Sequence, residues 1–376
     1  MEKKEWQSMK SISRWLLLIV MTINLSGCWD YAPLEDRFIM TALALDVSEN
    51  NKNRLLVTVM GITYQQPNEI LYAEGSSVTD AVRNISDRVD KNITFSHVNA
   101  VLFSEQLARH GIKPYLDSFY RFREMRSDAV FYVTSGRAGD YLNEDKAIYP
   151  VSGPLIHSLL KQSEMKVDEH NYDIQNVLFH MIENQYDAAI PLIQYEAKQK
   201  TFLLAGSALL RDGKMVGQLG SRQTMTLNML NGSLQRTLYT IGEIRPNEEK
   251  SRAITYRLYG TDRKVNWRIQ NGAPTIEFSF AFKDDLLEMN PWHLQALDGK
   301  TLKKLKRELE LDLERNLLAT VRLMQTEYQM DLFDLRQLAR VKWGKEYNSK
   351  LWSRQFAKIP VRVKVDVQIE RTGMIY

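Results

Sequence analysis

The stretch "AITYRLYGTDRKVNWRIQNGAPTIEFSFAF", residues 253–282, decides the fold class. Apolar and polar residues alternate within "AITYRLYG", "KVNWRIQ" and "TIEFSFAF", the period of strands with one buried face. Gly260-Thr261-Asp262 and Asn271-Gly272 read as turns, so the stretch predicts an antiparallel meander. Downstream, Leu302, Leu305, Leu309, Leu313, Leu317, Val321, Met324 and Tyr328 recur at spacings of three and four. They predict one long helix over about 300–328 whose apolar stripe covers the meander. Residues 359–369, "IPVRVKVDVQI", alternate strictly and predict a last strand with a charged outer face. Upstream, "FLLAGSALLRDGKMVGQL" (202–219) places Asp212-Gly213 between two apolar runs, a hairpin signal. Residues 201–376 therefore read as a C-terminal domain of antiparallel sheet plus long helix.

The first half has a different pattern. Residues 38–46 ("FIMTALALD"), 54–64, 97–104 and 128–135 are rich in apolar and β-branched residues and read as strands. Ser77-Val-Thr-Asp80 opens a helix to about Val89, with Val78, Ala81, Val82, Ile85 and Val89 on one face. Two short helices, "EQLARH" closed by Gly111 and "KPYLDSFYRF", lie between the last two strands. Residues 37–135 thus predict a mixed α/β domain. Residues 136–200 open with Gly136, Gly139, Pro150, Gly153 and Pro154, then carry helical stretches at about 155–162 and 173–185, and read as a helical connector or subdomain. The fold class expected is α+β (mixed α/β), in more than one domain.

The N-terminus sets the location. Lys3, Lys4, Lys10 and Arg14 precede the apolar run Trp15–Ile23, the plan of an export signal over residues 1–27. That run is too short to span a bilayer, which needs about 20 residues. Leu25-Ser26-Gly27-Cys28 follows and resembles the bacterial lipobox. Cys28 is the sole cysteine of 376 residues, so an internal disulfide and a cysteine-rich metal site are excluded. The resemblance implies cleavage before Cys28 and a diacylglyceryl group on its sulfur. Two acyl chains anchor stably where one does not. Residues 28–36 would then be a lipidated tether, with Trp29 either in the headgroup layer or buried in the tether.

The remaining composition excludes several classes. The chain carries 50 Lys and Arg against 46 Asp and Glu, too even a balance for a nucleic-acid binder. The histidines are His97, His110, His157, His170, His180 and His293; none pair at metal-binding helix spacing, and none sits in a His-Glu-x-x-His pattern. No nucleophile elbow, phosphate loop or dinucleotide fingerprint occurs. No catalytic, cofactor-binding or metal-ligating residue is nominated, and no cofactor is expected. The basic run Arg121–Arg126 is a candidate contact for lipid headgroups, weighed against a solvated helix end.

Taken in order, the residues resemble the Ger(x)C lipoproteins, the C subunits of spore nutrient germinant receptors. Cys28-Trp29-Asp30 matches the family's start, and Thr41-Ala-Leu-Ala-Leu-Asp46 is similar to its first strand, with alanines for both glycines. His97, Glu105 and Ala108, then Arg121, Glu124 and Arg126, follow its pattern. So do Gly206 and Gly217, Gln325, Tyr328 and Asp331, and Trp352, Phe356 and Arg371-Thr-Gly373. Pro33 and the run Phe333-Asp334-Leu335 depart from it. The resemblance implies a non-enzymatic subunit on the outer face of the inner spore membrane. It would assemble with membrane-embedded A and B subunits in a complex that responds to small nutrients. No family ligand pocket carries over residue by residue. The competing readings are a lipid-anchored solute-binding protein, which calls for two similar α/β lobes around a cleft, and a lipid-anchored hydrolase.

Overall fold

The computed structural model describes residues 33–89, 91–122, 124–143, 172–183, 187–243, 252–290 and 297–372, with isolated positions 15, 156, 158, 166 and 167. Cys28, Trp29 and most of the helix expected at 155–162 lie outside the described residues.

Two sheets organise the chain. In the first, β1 (Arg37–Val47), β5 (Ala100–Ser104), β6 (Val130–Thr134) and β8 (Ala188–Glu196) run parallel to their neighbours. Every residue of β5 and β6 is buried, as expected of strands covered on both faces. Antiparallel strands flank this centre: β2 (Leu55–Ile62) and β3 (Glu69–Gly75) on one side, β9 (Thr201–Arg211) and β10 (Lys214–Gly220) on the other. The short β4 (Asn92–Thr94) pairs with the start of β1. On one face pack α1 (Val78–Ser86), α2 (Glu105–His110), α3 (Lys113–Arg121) and α4 (Ile174–Glu183). The expected cap of α1 is present, since Ser77 Oγ accepts from Asp80 N at 3.1 Å. The Asp80 carboxylate reaches back to Ser76 N instead of Ser77, one residue earlier than in a capping box.

The second sheet has the order β14-β13-β12-β11-β7, built from β7 (Lys166–Val167), β11 (Leu234–Glu243), β12 (Arg252–Gln270), β13 (Ala273–Asn290) and β14 (Val361–Arg371). The expected meander is one long hairpin. Gly260 is not a turn: β12 runs through it, with a register slip between Gly260 and Asp262. A bulge absorbs the extra residue and the strand bends without reversing. The reversal comes at Asn271-Gly272, both with positive φ. The expected long helix is α6 (Gly299–Leu323), capped by Asp298, whose carboxylate accepts from Thr301 N at 2.7 Å. Leu305, Leu309, Leu313, Leu317 and Val321 are buried against the hairpin and β14. The helix returns the chain across the sheet, so β14 joins β13 in parallel, which the alternating pattern of 359–369 does not encode.

Three further expectations change. The hairpin at 202–219 forms at Asp212-Gly213, but it extends the first sheet through β8 and does not join the second. Residues 188–196, read within a helical connector, are the strand that carries it. Between the sheets lies α5 (Ser221–Asn231), which had no periodic signal. Its Thr224, Thr226 and Asn228 are buried alongside Met225, Leu227, Met229 and Leu230. A helix covered on several sides has no polar stripe to betray it. The two sheets differ in build, unlike a pair of similar lobes. No helix among the described residues is long and apolar enough to cross a membrane.

Candidate functional site

Of the residues that carry the resemblance, some sit at joints of the fold and others on its surface. Asp46, at the end of β1, accepts from the backbone N–H of Ala138 and Gly139, both at 2.8 Å. It thereby fixes the turn that covers the second face of the first sheet. Burial raises its carboxyl above the usual range, and those hydrogen bonds partly oppose the rise. Ala108 is buried under α2, while His97 is exposed with its Nδ1 3.0 Å from Ser96 Oγ. Glu105 pairs with Arg109 along α2. Arg121 and Arg126 pair with Asp117 and Asp128, and Glu124 is exposed.

A second group meets at the end of α6. There the helix widens into a π-turn (Met324–Tyr328), and Gln329 leaves it at φ +48°. The wider turn brings Gln325, Tyr328 and Asp331 to three different partners. Gln325 Nε2 donates to the carbonyls of Phe356 and Ile359, at 2.9 and 2.8 Å. Asp331 accepts from Phe333 N at 3.0 Å and from Trp352 Nε1 at 2.9 Å. The Tyr328 ring lies on Gly217 of β10, where a Cβ would sit 2.4 Å from a ring carbon. Gly206 on the facing strand has φ +141°, and a Cβ there would fall 1.9 Å from the Leu219 carbonyl oxygen. Sequence reading placed these residues in order along the chain. The structure brings Gly217 and Tyr328 into contact, and Gln325, Asp331, Trp352 and Phe356 into one knot. Arg371 is exposed at the end of β14, and Gly373 lies outside the described residues.

A cleft lies on the seam between the sheets. It encloses about 90 Å³ and is lined by Tyr172, Asp187, Asn228, Asn231, Ser233 and Asp334, with apolar walls from Ala188, Leu227 and Leu332. Tyr172 O–H donates to Asn228 Oδ1 at 2.7 Å, and burial pushes this phenol up to about 12, so it stays a donor. Asp187 accepts from Asp212 N at 3.2 Å; burial pushes it up to about 6, against the opposing charges of Arg211 and Arg336. Asn231 Oδ1 is buried without a hydrogen-bond partner. The lining can hold a few waters or one small polar group. Ser233 Oγ donates to the Asn228 carbonyl at 3.1 Å. The described residues assemble no group of three metal-ligating side chains. Sequence reading missed this cleft. Its walls come from β8, α5 and the segment after α6, which only the packing of the two sheets brings together.

Known proteins extend these observations. Residues 30–195 match the family described as spore germination protein N-terminal domain, and residues 205–373 match the family described as spore germination B3/GerAC like, C-terminal. The chain is 22% identical to spore germination protein B3 of Bacillus subtilis (strain 168), covering 98% of this chain and 100% of that protein. It is 21% identical to spore germination protein KC of the same organism, covering 96% and 95%. To spore germination protein GerQC of Bacillus cereus it is also 21% identical, covering 96% and 99%. The crystal structure of the GerBC protein has the same fold, with a TM-score of 0.57 at 19% identity, covering 87% of this chain and 96% of that one. The boundary between the two matched segments is not a boundary between sheets: β10 and most of β9, from the second segment, complete the sheet built by the first.

Proposed function

The chain belongs to the GerAC-like family of spore germination proteins, and from that premise we propose that it is the lipid-anchored, non-enzymatic C subunit of a nutrient germinant receptor. One observation carries the reading: two consecutive family segments account for residues 30–195 and 205–373, nearly everything after the leader. The positions of the family-pattern residues support it. Asp46, Gly217, Gln325, Tyr328 and Asp331 hold elements together and do not converge on a reacting atom. A protein built this way acts through its surfaces.

In this reading residues 1–27 are removed, Cys28 carries the diacylglyceryl group, and 28–36 tether the folded part to the outer face of the inner spore membrane. The folded part holds the segments expected as 37–135, 136–200 and 201–376, with residues 188–220 belonging to the first sheet. It assembles with the membrane-embedded A and B subunits, and the assembly responds to small nutrients. Spores lacking this gene, tested against a panel of amino acids and sugars, should lose germination on at least one nutrient while forming normally. A normal response to every nutrient that wild-type spores answer would count against the reading. Cys28→Ala should abolish incorporation of a palmitate analogue into the protein, because no second cysteine exists to take the lipid. Retained label on that variant would remove Cys28 as the anchor.

A further inference from the structure

Three of the apolar side chains that the fold leaves in water lie at one end of the first sheet. Leu34 is 57% exposed, Ile62 43% and Tyr64 70%. Leu34 lies in the short turn Leu34–Asp36 that runs straight into β1. Ile62 is paired with Ile39 near the start of β1, and Tyr64 follows it by two residues. All three therefore surround the point where the chain enters the fold.

What precedes that point decides what they face. Cys28 stands five residues before Pro33, and five extended residues reach roughly 18 Å at most. The strand that starts there has 11 residues, so it is roughly 36 Å long at about 3.3 Å per residue. A lipid on Cys28 holds the near end of the sheet at the bilayer, while the far end, at the 50–53 turn, stands a full strand length away. We infer that Leu34, Ile62 and Tyr64 form a membrane-contact rim on which the lipidated protein stands, with the three side chains in the headgroup layer. This rests on Cys28 being the lipid site. Tyrosine suits the place, having an apolar ring and a polar tip. Alone, three side chains would bind a bilayer only marginally. Attached to an anchored cysteine they act at a high effective concentration, and a weak contact is enough to set orientation.

Charge does not drive the contact. The basic run at 121–126 does lie beside this rim: Phe122 stacks on Phe95 at 4.3 Å, and Phe95 follows the strand paired with Arg37–Ile39. Among the described residues, however, its arginines are ion-paired, Arg121 with Asp117 at 2.8 Å and Arg126 with Asp128 at 2.6 Å. Lys91 Nζ donates to the Glu35 carbonyl at 2.7 Å. The rim should therefore sit equally well on neutral and anionic bilayers, unlike a polybasic patch.

The test uses the full chain expressed in a bacterium that processes lipoproteins, carrying either Gln65→Cys at the rim or Lys52→Cys in the far turn. Both positions are exposed. With Cys28 lipidated, the introduced thiol is the one available for a fluorophore, and intact mass reports whether the lipid is present. In vesicles of phosphatidylcholine, with or without phosphatidylglycerol, a headgroup spin label should quench the fluorophore at 65 several-fold more than the one at 52, alike on both compositions. Adding Leu34→Ser and Tyr64→Ser should shrink that difference. A lipidated protein quenched alike at both positions overturns the rim contact alone. Quenching seen only with phosphatidylglycerol overturns its apolar character. A mass without lipid overturns the anchor and the rim together.

Discussion

The two sheets each bury an aspartate, and they treat it in opposite ways. Asp46 in the first sheet is 2% exposed and its carboxylate accepts two backbone N–H groups. Asp284 in the second is fully buried, and neither of its oxygens has a hydrogen-bond partner. The Tyr256 hydroxyl, whose ionisation is opposed by burial and by the Asp284 charge, is buried and unpartnered too. One carboxylate fastens a turn. The other is a cost that the rest of its core must offset. Around these two carboxylates the first sheet makes a polar joint, while the second packs the aromatic row Phe278, Phe280 and Phe282 under the stripe of α6.

If that contrast is right, the largest effect comes from the stripe. Leu309 is fully buried at mid-helix, and truncating a buried leucine to alanine costs about 2–5 kcal/mol. Leu309→Ala should lower the melting temperature clearly. It should do so in one transition, because Leu209 and Leu219 of the first sheet belong to the same apolar cluster as α6. A melt that splits into two steps would show that the sheets fold as separate units. An unchanged melt would move the stripe from core to partner surface.

The next effect has the opposite sign and depends on pH. Burial first, then the charges of Asp285 and Glu370, push Asp284 up to about 7. Between the unfolded carboxyl range near pH 4 and about pH 7, the folded chain holds a proton that the unfolded chain has released. Stability therefore falls as pH rises through that window and levels off above it. At about 1.4 kcal/mol per pKa unit the ceiling is on the order of 4 kcal/mol, and water entering the site lowers it. Asp284→Asn should raise the melting temperature at pH 8, leave it nearly unchanged at pH 5 and flatten the slope between. A variant less stable than the parent at pH 8 would mean that the charged form has a partner. Asp46→Asn should go the other way and more modestly, costing about 1–2 kcal/mol at pH 8, since one of two acceptor oxygens becomes a donor facing an N–H. A stabilised Asp46→Asn chain would erase the distinction between the two carboxylates.

The same contrast explains what the sequence disclosed. The α6 stripe was legible because one face is core and the other water, so the period survives in the residues. The turns at Asp212-Gly213 and Asn271-Gly272 were legible because both need left-handed backbone. Gly260 misled because a glycine at a bulge looks like a glycine at a turn. α5 was invisible, since a helix wedged between sheets is buried around Thr224, Thr226 and Asn228 as well as its apolar residues. The assignment of the 201–220 hairpin to the first sheet depends on pairing with β8, a partner no local pattern names. The seam cleft inherits that limit: Asp187, Asn228 and Asp334 come from three elements whose meeting is purely tertiary.

The smallest effect separates family pattern from fold. Arg121 belongs to the family's Arg-x-x-Glu-x-Arg pattern just as Gln325 and Asp331 belong to theirs, but its setting differs. Both Gln325 and Asp331 are buried, Gln325 tied to backbone carbonyls 31 and 34 residues away and Asp331 to a buried indole 21 residues away. Arg121 pairs with Asp117 one turn back, and both side chains are mostly in water. Exposed pairs of this kind add little to stability and are screened by salt. Arg121→Gln should leave the melting curve within experimental error at low and high salt alike. If the position matters, the effect should appear in the germination response of spores carrying the variant. A clear loss of melting temperature would instead place Arg121 among the joints of the fold, and the division between polar joints and free surface would have to be redrawn at α3.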